Sequence, residues 1–179
     1  MKVRSVMTSE VQACRPQDNL AAAAMIMWHH DCGVVPVIDS EHRPVGVLTD
    51  RDICMAITLK DRPASAIPVG ETMATDISSV NPDDDVDDAL KLMSTRQIRR
   101  LLVVDSDGRL NGILSTSDIV RHSDKGKSKK HISNKDTMKM LHAVSKPHLT
   151  PSAEVTEVTL ETEVVTAPEP APAETAAPL

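Results

Sequence analysis

The stretch GVVPVIDSEHRPVGVLTDRDI at residues 33–53 recurs in altered form as RRLLVVDSDGRLNGILSTSDIV at residues 99–120. Both stretches belong to a longer repeat, in which residues 3–53 align without a gap with residues 69–119. Fourteen of the 51 aligned positions are identical, including Asp52 and Asp118. A gapless repeat of this length indicates one structural unit used twice. Because units of about 50 residues bury too little surface to be stable alone, we expect the two to pack as one body.

Each copy predicts the element order β-α-β-β-α. A short extended piece before a proline leads into a helix, and two strands and a second helix follow. Apolar residues at helical spacing mark the expected core face of the first helix: Leu20, Ala23, Ala24, Met27 and Trp28. Continuous apolar runs at 34–38 and 101–104 predict buried strands. The predicted fold class is therefore α+β, with two pseudo-symmetric units packed together.

Composition and charge exclude several classes of partner. The 179 residues are 40% hydrophobic, enough for a core, but include one Trp and neither Phe nor Tyr. Proteins that bind single-stranded nucleic acid stack bases on aromatic rings, and the net charge of −6 disfavours phosphate backbones, so we expect no nucleic-acid partner. The longest apolar run, residues 20–28, is far too short to span a membrane.

The cysteine count and the first residues bear on the compartment. Three cysteines are too few, and odd in number, for a disulfide framework, which fits a reducing environment. The first residues lack the apolar core of a signal peptide. We expect a cytoplasmic protein without a membrane segment.

Charge also divides the chain beyond the repeat. Residues 123–150 carry seven Lys and two Asp, whereas residues 151–179 carry six Glu, five Pro and no Lys or Arg. The second composition cannot bury enough apolar surface to fold. We therefore expect repeat 1 at 1–62, repeat 2 at 67–122, a basic linker at 123–146 and a disordered acidic tail at 147–179. A short helix in the linker, capped by Asn134 or Asp136, would carry a narrow apolar stripe of Met138, Leu141 and Val144.

Two hydroxyl–carboxylate pairs are the strongest candidates for chemistry. Thr49 precedes Asp52 by three residues, and Ser115 precedes Asp118 by the same spacing. At a helix start this spacing can form a capping box, which needs no ligand. A carboxylate there can also accept hydrogen bonds from two adjacent hydroxyls, and a helix N-terminus favours an anion. Both roles stay open at this point, and they can coexist.

Glycines inside predicted strands, Gly46 and Gly112, indicate a bulge or the close approach of another backbone or a ligand. The run His29–Cys32 contains potential metal ligands, but consecutive helical residues point in different directions, so we expect no metal site. We also find no nucleophile–base arrangement, and so we expect no catalytic residues.

The two quoted stretches resemble the halves of a CBS-domain pair, the Bateman module, over about residues 1–122. The resemblance implies a cleft between the halves for AMP, ADP, ATP or S-adenosylmethionine, with no required cofactor. It implies that Asp52 and Asp118 accept hydrogen bonds from ribose hydroxyls. It also implies that Thr49 and Ser115 lie near the phosphates.

The same resemblance implies further ligand-binding residues: Val35 and Pro36 beside the adenine, Arg99 and Arg100 at the phosphates, and Arg51. Ser117 replaces Arg51 in the second copy, and the first copy has Gly33 and Val34 in place of the arginine pair. The two sites should therefore be unequal. A charge–dipole role for the arginines at a helix C-terminus is the alternative.

The resemblance implies a regulatory binding module rather than an enzyme. Ligand in the cleft would favour one angle between the halves, and a partner would respond to that angle. The resemblance further implies a homodimer formed through the helices, with an effector protein that the sequence does not identify. The alternative is a structural or stress-response interaction protein that uses the pair as a dimerisation scaffold without a nucleotide.

Overall fold

Helices and strands follow the sequence repeat in the computed structural model, which describes residues 1–124 and 132–147. The first repeat contains α1 (Leu20–His29), β1 (Val34–Ile38), β2 (Pro44–Thr49) and α2 (Asp50–Lys60). The second contains β3 (Ser79–Val80), α3 (Val86–Arg96), β4 (Arg100–Val104), β5 (Leu110–Ser115) and α4 (Thr116–Arg121). The predicted α+β class with two repeats is confirmed.

The strand pairing is nearly the same in both repeats. Strand β1 runs antiparallel to β2, and β4 runs antiparallel to β5; Val37 lies opposite Gly46 and Val103 opposite Gly112. In each pair the register shifts directly after that position, so a bulge accompanies the glycine. Strand β3 adds to β4 in parallel.

The predicted opening strand of the first copy reduces to a single bridge between Cys14 and Val37. Proline explains the difference. In the second copy the Leu102 amide donates to the Ser78 carbonyl at 3.1 Å, which extends the β3 pairing. Pro36 occupies the position of Leu102 and has no amide hydrogen to donate.

The first helices of the two repeats begin in different ways. The Asn19 side chain accepts a hydrogen bond from the Ala22 amide at 2.9 Å and starts α1. Asp85 is the N-cap of α3 but its side chain makes no capping hydrogen bond. Asp18 and Asp84 instead stabilise the preceding turns, because the Asp18 carboxylate accepts from the Arg15 amide and the Asp84 carboxylate from the Asn81 amide.

The segment that precedes the first helix of each repeat, here called its leading segment, packs into the hydrophobic core of the other repeat. Val3 and Val6 are buried in the core of the second repeat, and Ile67 and Val69 in that of the first. The Val3 amide donates to Asp84, and the Val69 amide donates to Asp18. This exchange joins both repeats into one unit, Met1–Lys146.

The core face of α1 is narrower than the apolar spacing predicts. Leu20, Ala23 and Met27 are buried, but the Trp28 residue is 80% exposed, so its predicted core position is wrong. Trp28 lies at the edge of the apolar stripe, and no described element covers that edge. The second repeat has Ser94 at the equivalent position.

A further helix, α5 (Asn134–Val144), follows two short parallel strands, β6 (Ser123–Asp124) and β7 (Ile132–Ser133). Ser133 is its N-cap rather than Asn134 or Asp136, and its buried residues are Thr137, Met140 and Val144. The predicted stripe is therefore wrong at Met138, which is 64% exposed. Helix α5 packs on α3, so tertiary contacts decide which face is buried.

No helix in residues 1–124 and 132–147 is both long and apolar enough to cross a membrane. The tail expected to be disordered lies, from residue 148 onward, outside the described residues.

Candidate ligand-binding site

Both hydroxyl–carboxylate pairs form capping boxes. The Thr49 hydroxyl accepts from the Asp52 amide at 3.2 Å, while Asp52 Oδ2 accepts from the Thr49 amide at 2.9 Å and from its hydroxyl at 2.6 Å. Ser115 and Asp118 repeat the arrangement at 3.2, 2.8 and 2.6 Å. The capping role is thus real in both repeats, and it fixes the orientation of each carboxylate at the start of a helix.

The remaining carboxylate oxygen differs between the repeats. Asp118 Oδ1 accepts a hydrogen bond from the Thr8 hydroxyl at 3.4 Å and contacts the Arg121 guanidinium, and Asp118 is 2% exposed. The positions equivalent to Thr8 and Arg121 hold Ala74 and Met55. Consequently, Asp52 Oδ1 has no hydrogen-bond or ion-pair partner among residues 1–124 and 132–147.

A cleft of about 630 Å³ opens between the repeats beside Asp118. Its lining comes from the leading segment, the end of α1, the start of β4 and the β5–α4 junction: Thr8, Glu10, Val11, Gln12, His30, Asp31, Cys32, Gly33, Val34, Arg99, Arg100, Ile113, Ser115, Thr116, Ser117, Asp118 and Arg121. This volume lies within the range of about 300–1,000 Å³ that is typical of small-molecule sites.

The cleft gathers four of the residues expected to bind ligand: Ser115, Asp118, Arg99 and Arg100. Arg99 and Arg100 follow α3 rather than lying in its last turn, and Arg100 already belongs to β4. Both arginine side chains are exposed, and neither makes an ion pair with a described residue. They place two positive charges on this wall of the cleft, whose lining also includes the acidic residues Glu10 and Asp31.

The other expected residues lie elsewhere. Thr49 and Asp52 are at the β2–α2 junction, and neither they nor Arg51 line this cleft. Val35 and Pro36 are buried in β1, where the Pro36 carbonyl accepts from the Cys14 amide at 3.0 Å. Their assignment to an adenine site stays a prediction.

Close backbone approach explains both strand glycines. A Cβ atom on Gly112 would stand 2.6 Å from the Thr8 carbonyl oxygen, and one on Gly46 would stand 2.9 Å from the Ala74 carbonyl oxygen. The exchanged leading segments cross the second strand of each hairpin at these points. Glycine is therefore required where each leading segment crosses a hairpin, and the crossing at Gly112 involves Thr8 and Ile113 of the cleft wall.

Cysteine and metal chemistry find little support in the described residues. Burial, together with the nearby Asp18 carboxylate, raises the pKa of the Cys14 thiol to about 11. Cys14 is therefore a neutral core thiol at physiological pH. No three His, Cys, Asp or Glu side chains in residues 1–124 and 132–147 are grouped to hold a metal ion.

Sequence reasoning missed two side chains that contact Asp118. Arg121 follows Asp118 by three residues on a helix, a spacing that places side chains together and could have identified the pair. Thr8 carries no comparable signal, because only the fold brings the leading segment to the second repeat.

Comparisons with known proteins agree with this architecture. The family model described as CBS domain matches residues 3–59 and residues 69–125. The CBS domain-containing protein YhcV of Bacillus subtilis is 38% identical over 117 residues, which cover 65% of this chain and 81% of that protein.

Two solved structures are also similar. Hypoxic Response Protein I with two coordinated zinc ions matches with a TM-score of 0.63 and 31% identity, over 69% of this chain and 100% of that chain. The CBS domain pair of protein MJ0100, in complex with 5'-methylthioadenosine and S-adenosyl-L-methionine, matches with a TM-score of 0.61 and 25% identity. That match covers 68% of this chain and 94% of the other.

Proposed function

The chain belongs to the CBS domain family, and from this premise we propose that it is a regulatory module that binds an adenine-containing ligand between its repeats. The candidate ligands are AMP, ADP, ATP and S-adenosylmethionine. The proposed role is to bind the ligand and pass a conformational change to a partner, without a chemical step.

The observation that carries the proposal is the fixed carboxylate of Asp118 at the wall of the cleft. Its capping box with Ser115 holds one carboxylate oxygen and orients the other towards Thr8 and Arg121. Once Thr8 or Arg121 releases Asp118 Oδ1, this carboxylate can accept hydrogen bonds from the hydroxyls of a ribose. The structure of MJ0100 with two adenine compounds supports an adenine ligand for a fold of this kind.

The charge of the cleft favours its second-repeat end for phosphate groups. Arg99 and Arg100 line the cleft and lack ion-pair partners among the described residues, whereas the first repeat has Gly33 and Val34 at those positions. Guanidinium groups recognise phosphate oxygens through paired hydrogen bonds. The two repeats therefore offer unequal sites in this proposal.

The exchanged leading segments suggest how binding would be transmitted. The cleft is lined by both repeats, and Thr8 of the first repeat contacts Asp118 of the second. A ligand that contacts both walls stabilises one relative arrangement of the repeats over others. A partner that prefers this arrangement would then bind more tightly.

We also propose that the chain forms a homodimer through the exposed face of α1 and α2. Trp28 of α1 and Ile57 of α2 line one groove between the two helices, Met25 lies one turn from Trp28, and all three residues are exposed. An effector protein would recognise the dimer. Exposed apolar side chains gathered on neighbouring helices are typical of an interaction surface.

A scaffold that binds no nucleotide is the second candidate. Asp118 is fully hydrogen-bonded by Thr8, Ser115 and Arg121 without any ligand, so its burial needs no nucleotide to be stable. The exposed apolar face of α1 and α2 would serve such a scaffold equally well.

Thermal unfolding of the full chain, freed of copurified ligand, separates the two candidates. The ligands are AMP, ADP, ATP and S-adenosylmethionine, with GMP as the non-adenine control. A ligand that binds only the folded state adds about 2.7 kcal/mol at 100 times its Kd, which raises Tm by several degrees. A shift with an adenine ligand but not with GMP supports the proposal. No shift with any of them contradicts it and favours the scaffold.

A further inference from the structure

We infer that Arg121 makes the second-repeat site selective for a phosphorylated adenine ligand over an uncharged one. The inference rests on the proposed function, and it adds the ligand class that this site accepts and the residue that decides it.

Arg121 contacts the carboxylate oxygen of Asp118 to which a ribose would have to donate its hydrogen bonds. Its guanidinium contacts Asp118 Oδ1 from three residues further along α4. The other oxygen, Oδ2, is held by the amide and hydroxyl of Ser115. Because Asp118 is 2% exposed, it presents no free oxygen to an incoming ligand.

A ribose must therefore displace Arg121 or Thr8 from Asp118 Oδ1. Loss of Arg121 removes the countercharge of a buried carboxylate, which is costly even when neutral hydroxyls replace the lost hydrogen bond. The cost falls if the guanidinium gains another anion nearby. The Arg121 side chain is 67% exposed and lines the same cleft, so it can turn towards a phosphate without leaving a packed core.

Two further arginines of the cleft act in the same direction, whereas the acidic residues Glu10 and Asp31, which also line it, do not. Arg99 and Arg100 already present positive charge without an ion-pair partner in the described part of the chain. A phosphorylated ligand satisfies these arginines together with the displaced Arg121. Adenosine offers these guanidinium groups no anionic group, whereas a phosphate does.

The first repeat provides the internal comparison. Met55 stands at the position of Arg121 and Ala74 at that of Thr8, while the capping box of Asp52 is the same. Asp52 Oδ1 has no partner among the described residues. The first repeat therefore keeps the ribose acceptor but lacks the charged group that blocks it.

The test compares AMP with adenosine by isothermal titration calorimetry on the full chain. An Asp52→Asn background makes the second repeat the reporting site. Arg121→Met introduces the residue that the first repeat carries, and we expect it to strengthen adenosine binding and weaken AMP binding. The preference for AMP should fall by about tenfold, the size of one charge-assisted hydrogen bond. Arg109→Met, in an exposed turn outside the cleft, removes the same charge and should keep the preference.

Two further variants test whether the charge of Arg121, rather than the loss of one hydrogen-bond donor to Asp118, decides the preference. Thr8→Ala removes the uncharged donor to the same oxygen, so it should change AMP and adenosine binding by the same factor. Arg121→Gln keeps a donor but not the charge and should behave like Arg121→Met. Circular dichroism confirms the fold of each variant.

The outcomes separate the inference from the proposed function. An unchanged AMP preference in folded Arg121→Met or Arg121→Gln protein overturns the inference alone. Binding to the wild-type chain that disappears in the Asp52→Asn background places the ligand at the first repeat and also overturns it. A wild-type chain that binds no adenine ligand overturns the proposed function, and the inference falls with it.

Discussion

Thr8 and Ile113, which lie far apart in the sequence, exchange both of their backbone hydrogen bonds, each at 2.9 Å. Ala74, in the leading segment of the second repeat, and Val47, in the hairpin of the first, make the same pair of hydrogen bonds, also at 2.9 Å. Each leading segment thus pairs through one residue with the edge of the hairpin of the other repeat. Since the Thr8 side chain reaches Asp118, this pairing also sets the wall of the cleft.

Gly112→Ala should destabilise the fold at this crossing. The new Cβ would meet the Thr8 carbonyl oxygen at 2.6 Å, and backbone rather than a flexible side chain must then move. We expect a loss of about 1–3 kcal/mol in the free energy of unfolding, measured by urea denaturation. Gly108→Asn is the control, because nothing lies within 4 Å of its Cβ and Asn tolerates a φ of 76°. Equal stabilities for Gly112→Ala and wild type would contradict the close approach.

Removal of the capping hydroxyl should lower the free energy of unfolding by a similar amount in the two repeats. Thr49→Ala and Ser115→Ala each leave a helix N-terminus without its side-chain acceptor, at an expected cost of about 1 kcal/mol. Chemical denaturation measures both. Thr49→Ser keeps the hydroxyl and should keep most of the stability. No loss in either alanine variant would show that the boxes add nothing to stability.

Trp28→Ser should dissociate the proposed homodimer without unfolding the chain. The indole is largely exposed, and the equivalent residue of the second repeat is already Ser94. Sedimentation velocity should show a dimer for the wild-type chain and a monomer for the variant, with the same circular dichroism spectrum. A wild-type monomer, or a variant that stays dimeric, would argue against this face as the interface.

Thiol reactivity should distinguish the core cysteine from the surface one. The pKa of Cys14, raised from 9.0 to about 11 by burial, keeps it protonated, whereas Cys54 is exposed. Iodoacetamide at pH 8 should alkylate Cys54 and spare Cys14 in the folded chain, as read by mass spectrometry. Rapid alkylation of Cys14 under native conditions would contradict its burial.

The same shift makes stability depend on pH in a defined window. Because the folded state holds the Cys14 proton more tightly than the unfolded state, the contribution is complete below about pH 9. It declines as the pH rises from 9 towards 11. Cys14→Ala should lose this part of the alkaline dependence in urea denaturation, while Cys54→Ala should retain it.

Local pattern was enough to predict most elements of the two repeats and the caps of α2 and α4. The apolar runs gave β1 and β4, and the hydroxyl–carboxylate spacing marked the starts of α2 and α4, because these features depend on neighbours within a few residues. Because the two copies align without a gap, the same element order could be predicted for both.

Features that depend on distant contacts could not be predicted in this way. The exchange of the leading segments, the exposure of Trp28 and the buried face of α5 all follow from which surfaces meet. The engagement of Asp118 by Thr8 is of the same kind. Helical spacing alone, by contrast, could have paired Asp118 with Arg121.

Titration of AMP into the full chain and into two matched variants, Asp118→Asn and Asp52→Asn, tests the central claim most directly. Both substitutions remove one carboxylate charge from a capping box, so they share any cost to the helix start. Calorimetry should show AMP binding to the wild-type chain, at least about tenfold weaker binding after Asp118→Asn, and nearly unchanged binding after Asp52→Asn. Equal affinity in the Asp118→Asn and wild-type chains would contradict an adenine site at the second repeat.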